Sequence, residues 1–234
     1  MFSLARPDQQ TVSALQQSAK TAPFTYPEVG MTKNFQSFAD RYQLDHHRFP
    51  LGEGGVVYNR AREALCSWRQ FEVGWVKLTK PAVDQSLLQT TATTAALTGK
   101  ASADLQGNDT VCLTVKLGLL WLVFACRVIY TFGNEQPEPG QTSSSSSSSL
   151  MRFGYAYGTL RGHPEKGEER FCVEWNRENN QVCYEIVALS QPGSRLVKVA
   201  APFARLMQAR FARDSGRAMQ RICQSDVQSE NANN

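Results

Sequence analysis

Three runs near the C-terminus, Arg152 to Gly162, Glu168 to Trp175 and Val182 to Leu189, follow one another with only short breaks. Each has strand character, because side chains two apart share a face and apolar residues recur at that period. Strands this close together make a sheet of hairpins, and such a sheet needs a cover for its apolar face. The next segment supplies one. From about Leu196 to Cys223, Phe203, Met207 and Phe211 lie four apart, and Met219 and Ile222 continue the same apolar side. That spacing predicts a long amphipathic helix.

Upstream, "RYQLDHHRFPLG" predicts a strand over Tyr42 to Phe49 that ends at Pro50 and Gly52. From Gly54 the period changes: Val57, Ala61, Ala64, Leu65 and Trp68 fall at helical spacing, to about Phe71. Val73 to Leu78 reads as another strand, and "TVCLTVKL" and "CRVIYTF" as two more, joined through the apolar run between them. Near the start, Pro7 and Asp8 suit the first turn of a short helix ending at Ala19, while Pro27 keeps "FTYPEVGMT" extended. The order of strand, helix, strands and long terminal helix is α+β. It predicts a helix-grip arrangement, a curved antiparallel sheet wrapped around the C-terminal helix.

Composition excludes several alternatives. The 41% hydrophobic content supplies a core, and a net charge of +4 is too mild for a dedicated nucleic-acid binder. The six cysteines are scattered without a C-x-x-C pair, which predicts reduced thiols and an intracellular, cytoplasmic setting, with an organelle not excluded. The first twenty residues hold no apolar stretch of secretory type, so the sequon at Asn108 to Thr110 reads as chance. Leu117 to Cys126 is apolar for ten residues, whereas a spanning helix needs roughly twenty. A buried strand pair is expected there. The Thr/Ala-rich stretch within about 79–109 and the Ser-rich stretch within 133–150 read as mobile insertions, and 224–234 as a disordered polar tail.

The hairpin "RFGYAYGTLRGHPEKGEERFCVEW" carries the candidate chemistry. Phe153, Tyr155, Tyr157 and Thr159 share one face, and Gly154, Ala156 and Gly158 the other, where small residues admit close approach. Pro164 suits the second position of a type I turn and Gly167 the left-handed position after it. That turn sets His163 and Glu168 across the hairpin end, where they pin the turn or act as a general acid/base pair. Adjacent Glu168 and Glu169 point to opposite faces, so only one shares a pocket with His163. A metal would need a third ligand, and His46 and His47 alternate to opposite faces; neither a metal nor a cofactor is expected. Glu28 of "YPEVG" reads as a clasp for a backbone or arginine donor. Arg210, Arg213, Arg217 and Arg221, with Lys198 and Arg205 nearby, form a basic stripe. It reads as the solvated back of the helix rather than a membrane contact.

"YPEVG" (Tyr26 to Gly30), "LGEG" (Leu51 to Gly54), "ALCSW" (Ala64 to Trp68), "RVIY" (Arg127 to Tyr130) and "FGYAYGTLRGHPEKGEERF" (Phe153 to Phe171) together resemble one uncharacterised family of plant, algal and bacterial proteins, a domain of unknown function. The resemblance runs from about Ser3 to Arg221 and breaks at the two insertions. By fold analogy the family is similar to the START/polyketide-cyclase superfamily, whose helix-grip fold encloses a cavity for apolar small molecules. The resemblance brings no catalytic residues with it. It implies an N-terminal helical extension over 1–25 and a single START-like domain over 26–223. The expected ligand is a small hydrophobic or amphipathic molecule of lipid or isoprenoid type, held by Tyr155, Tyr157, Phe171, Val173, Tyr184, Phe203 and Met207. The protein is expected to be monomeric. The alternatives are a cyclase, isomerase or hydrolase using His163 and Glu168, and a membrane- or partner-docking protein.

Overall fold

The computed structural model describes residues 2–80, 108–133, 149–193 and 201–224. The two expected insertions lie almost wholly outside the described residues, as do the polar tail beyond Gln224 and Lys198 of the basic stripe. Two-residue β1 (Phe2–Ser3) precedes helix α1 (Gln9–Ala19), a 3-10 segment (Met31–Phe38), β2 (Gln43–Glu53) and α2 (Gly54–Cys66). A short 3-10 turn (Arg69–Phe71) leads to β3 (Val76–Thr79), then β4 (Thr110–Leu117), β5 (Leu120–Phe132), β6 (Leu150–Thr159), β7 (Glu165–Asn176) and β8 (Gln181–Pro192). Helix α3 (Ala201–Gln224) closes the fold.

The sheet is antiparallel in the order β2-β8-β7-β6-β5-β4-β3, with β1 added beside β5. Strands β3 to β8 run as consecutive hairpins, so each is a neighbour of the next. Strand β2 pairs with β8 at the far edge, and α2 carries the chain from that edge across to β3. Helices α2 and α3 pack on one face and on each other. The architecture is the helix grip expected from the sequence.

The apolar run 117–126 is a strand pair: Leu117 ends β4, Leu120 begins β5, and Gly118 makes the turn at φ +61°. Among the described residues no helix is long and apolar enough to cross a membrane. Strand β2 continues past Pro50 by a bulge between Pro50 and Gly52, where a proline at a sheet edge leaves no ladder bond broken. Gly54, at φ +84°, then turns the chain into α2.

The convex face is covered by the N-terminal residues. Asp8 caps α1 by accepting from the Thr11 N–H at 2.7 Å, and Val12 and Ala19 pack on Cys112, Val123 and Ala125. The Arg127 guanidinium donates to the carbonyls of Ala19, Lys20 and Ala22 at 2.6, 2.8 and 2.9 Å, satisfying the C-terminal end of α1. Further along, Tyr26, Met31 and Tyr42 pack with Leu189. Glu28 accepts from Arg41 at 2.7 Å and from the Tyr42 hydroxyl at 2.5 Å, so the clasp read from "YPEVG" closes on the next turn of chain.

The two halves of α3 differ. In the C-terminal half Ala212, Ser215, Ala218, Met219 and Cys223 are buried, and the Ser215 hydroxyl lies 2.9 Å from that of Tyr184. Gly216 lets the helix touch β2: a Cβ there would sit 2.6 Å from the Phe49 ring. In the N-terminal half Phe203 is 51% and Leu206 62% exposed. Gly216→Ala is therefore expected to destabilise the protein by about 1–3 kcal/mol in urea unfolding, because overpacking outweighs the gain of about 1 kcal/mol in helix propensity. A stabilised variant would mean that the helix does not seat on Phe49.

Candidate functional site

Strand register assigns the concave face row by row. Asp45 of β2 pairs with Ala188 of β8, Ala188 with Glu169 of β7, and Glu169 with Tyr157 of β6. One row deeper, two residues along each strand, come His47, Ile186, Phe171 and Tyr155. Deeper again are Phe49, Tyr184, Val173 and Phe153. Because side chains two apart share a face, all twelve point toward the helices.

The deep rows are solid. Trp68 lies against Tyr155 with centroids 4.6 Å apart, and Phe71 contacts Phe171 at 5.7 Å and Phe211 at 5.3 Å. Gln70, wholly buried, donates to the Tyr155 hydroxyl. The shallow row stays open under the N-terminal half of α3, leaving a cavity of about 290 Å³. Its apolar wall includes Phe71, Trp75, Leu113, Val115, Leu122, Phe124, Ile186, Phe203, Met207 and Phe211. Asp45, Glu165, Glu169, His47, His163, Tyr157 and Gln208 stand at its polar end.

Of the residues expected to line a cavity, Tyr157, Phe203 and Met207 do so. Tyr155, Phe171, Val173 and Tyr184 do not reach it; all four are fully buried in the aromatic plug one or two rows down. Their face follows from alternation, but their depth depends on where Trp68 and Phe71 land. The sequence reading also missed Asp45, Glu165 and Glu169. The signal was present in Glu169, an inward carboxylate in phase with Phe171 and Val173.

The His163–Glu168 pair does not form. Glu168 points to the convex face, where it is 3% exposed and accepts from the Tyr26 hydroxyl at 3.0 Å, the Gly30 N–H at 2.8 Å, the Thr32 N–H at 3.0 Å and the Thr32 hydroxyl. It is the anchor of the "YPEVG" segment. The turn differs as well: Gly162 takes the left-handed conformation at φ +95°, while Gly167 sits within β7, where a Cβ would meet the Leu189 carbonyl at 1.9 Å. The half-buried His163 ring lies edge-on to Phe124 at 4.2 Å, and its Nδ1 is held by the Glu165 backbone, 2.9 Å from the carbonyl oxygen and 3.0 Å from the N–H. Desolvation pushes its pKa down to about 4, so the imidazole is neutral near pH 7.

The inward carboxyls behave oppositely. Burial pushes both Glu165 and Glu169 up to about 7. Hydrogen bonds from Gln208 to Glu165 at 2.6 Å and from Tyr157 to Glu169 at 2.6 Å restrain the rise, and the charge of Asp45 adds to it. Among the described residues no His, Cys, Asp and Glu side chains group so as to hold a metal ion. The basic stripe is partly neutralised by Asp214, which lies 3.5 Å from Arg210 and 3.9 Å from Arg217.

The family model described as a domain of unknown function, DUF1990, matches residues 25–218, and the chain belongs to that family. A UPF0548 protein of Arabidopsis thaliana is 31% identical over 180 residues, covering 77% of this chain and 73% of its own length. UPF0548 proteins of Dictyostelium discoideum and Deinococcus radiodurans are each 26% identical, covering 92% and 94% of this chain and 92% and 98% of their own. Among solved structures, a hypothetical protein from Helicobacter pylori is similar at a TM-score of 0.45 and 9% identity, covering 83% of this chain and 94% of its own. Ara h 8.0201 is similar at 0.37 and 5%, covering 76% and 97%.

Two outcomes are expected. Glu168→Gln places an amide NH₂ against donors that now meet carboxylate oxygen, and should cost about 2–4 kcal/mol in urea unfolding. A near-neutral result would exclude the anchoring role. For Glu169, a folded pKa raised from 4.5 to about 7 means a stability contribution present below pH 4.5 and lost as pH rises through 7. His163, lowered from 6.5 to about 4, works the other way: its contribution is present above pH 6.5 and lost toward 4. Glu169→Gln removes only the former. Its stability relative to the parent should rise between pH 5 and 8 by on the order of 1 kcal/mol, and a pH-independent difference would contradict the assignment.

Proposed function

We propose that this DUF1990 protein binds a small apolar or amphipathic molecule in the cavity between the shallow row of the sheet and the N-terminal half of α3. One observation carries the reading. A hollow of about 290 Å³ persists beside the packed aromatic core, and its wall is predominantly apolar with a few polar groups among it. That division suits a ligand whose body is held by area removed from water, at roughly 25 cal/mol per Å², and whose head is oriented by hydrogen bonds. Tyr157, Phe203 and Met207 contact the body in this reading. The exposure of Phe203, a wall residue, supports a way in at the first two turns of α3.

An enzyme built on His163 and Glu168 is not supported, because the sheet lies between the two side chains. Docking through the arginine stripe is weakened by the pairing of Arg210 and Arg217 with Asp214.

The test is uptake. Protein purified without detergent and sprayed under native conditions should carry a small molecule, or bind a polarity-sensitive dye that 1-octanol displaces. Ala204→Trp, at the half-buried wall position on α3, is expected to weaken dye and octanol binding at least about tenfold while leaving the circular dichroism spectrum unchanged. Undiminished binding by this variant would place the ligand elsewhere, and absence of uptake by the parent would end the proposal.

A further inference from the structure

The cavity's polar end has one sign of charge. Asp45, Glu165 and Glu169 line it, and among the described lining residues none is lysine or arginine. The described histidines that line it are His47 and His163, and His163 is held through Nδ1 by the Glu165 backbone. Burial disfavours the charged form of these acids, and a cation seated among them would offset that cost and hold them ionised.

Two further observations bear on where a cation would sit. The Oδ2 atom of Asp45 is shielded from solvent and has no hydrogen-bond partner among the described residues. Glu169 is bonded on Oε2 by Tyr157. Between these acids, in the same row, stands Ala188, the smallest side chain that still belongs to the face. Asp45 and Glu169 are thus two strands apart, about 10 Å at the backbone, with an open seat over Ala188. A compact cation there meets a carboxylate on each side while its apolar substituent runs toward Phe124 and Met207. The acids do not form a metal site, which leaves an organic cation.

We infer that the ligand of this cavity is an amine, its ammonium seated over Ala188 between Asp45 and Glu169 and its apolar body under α3. The inference rests on the cavity reading and narrows it. Charge-assisted hydrogen bonds give the preference for an ammonium over a hydroxyl of the same shape, and repulsion from the acids disfavours a carboxylate. The neighbouring ionisable groups are His47 on β2, His163 and Glu165 at the β6–β7 turn, and Tyr157 on β6. The polar group that α3 contributes to the wall is the uncharged Gln208.

Octylamine, 1-octanol and octanoate share one chain and differ in the head, so titrating all three by calorimetry at pH 8 separates the possibilities. The parent protein is expected to bind octylamine at least about tenfold more tightly than octanol, with octanoate weakest. Asp45→Asn and Glu169→Gln should each lower octylamine affinity toward that of octanol and leave octanol unchanged. Equal binding of amine and alcohol, tighter binding of octanoate, or an amine preference that survives both substitutions would overturn the amine inference while the cavity reading stands. No binding of any of the three would overturn both.

Discussion

Trp68 against Tyr155, and Phe71 wedged between Phe171 and Phe211, make the contact on which the remainder of this fold depends. These rings come from the end of α2, from β6 and β7, and from the middle of α3, so one cluster joins both helices to the centre of the sheet. Fully burying side chains of this size contributes about 2–3 kcal/mol each, which makes the plug a large share of the stabilisation available to the concave face. Trp68 adopts φ +63°, an uncommon conformation for a bulky residue, and packing on Tyr155 holds it there. The plug also sets a limit. Past Phe211 toward the start of α3 the rings stop filling the space over the sheet: Phe203 stands at the cavity wall, 51% exposed.

The cavity is therefore a consequence of unequal coverage rather than a separate construction. Its walls include the last residues the plug touches, Phe71, Phe211 and Tyr157, and Asp45 and Glu169 share the row of Tyr157. A ligand that enters this space extends the apolar contact that the protein's own side chains leave unfinished. The carboxyls of Glu165 and Glu169 sit where desolvation raises their pKa to about 7, so both titrate through neutrality.

The convex face explains most of the motifs. Glu168 gathers the N–H groups of Gly30 and Thr32 and the hydroxyl of Tyr26, while Glu28 joins Arg41 and Tyr42. Arg127 of "RVIY" closes the end of α1. Gly158 keeps the outer face of β6 flat: a Cβ there would lie 2.2 Å from the Tyr26 hydroxyl. Lower on the same face, Arg48, Arg152, Arg170 and His46 pair with Glu174 and Glu185 across four strands. Sequence blocks that look like catalytic signatures are thus mainly the fittings by which residues 20–42 are fastened to the back of the sheet.

What the chain determines locally was legible without a structure. Alternation in Arg152 to Leu189 and the four-residue spacing of Phe203, Met207 and Phe211 specify strands and a helix, because backbone geometry alone decides which side chains share a face. The same rule separated Glu168 from Glu169. Only the tertiary structure decided which of those two faces was the concave one, how deep along it the aromatic plug extends, and that Asp45 and Glu169 flank Ala188. Those outcomes depend on register between strands far apart in sequence and on where α2 and α3 come to rest. A period of two residues carries no information about either, since a strand shifted by two keeps every face and changes every neighbour.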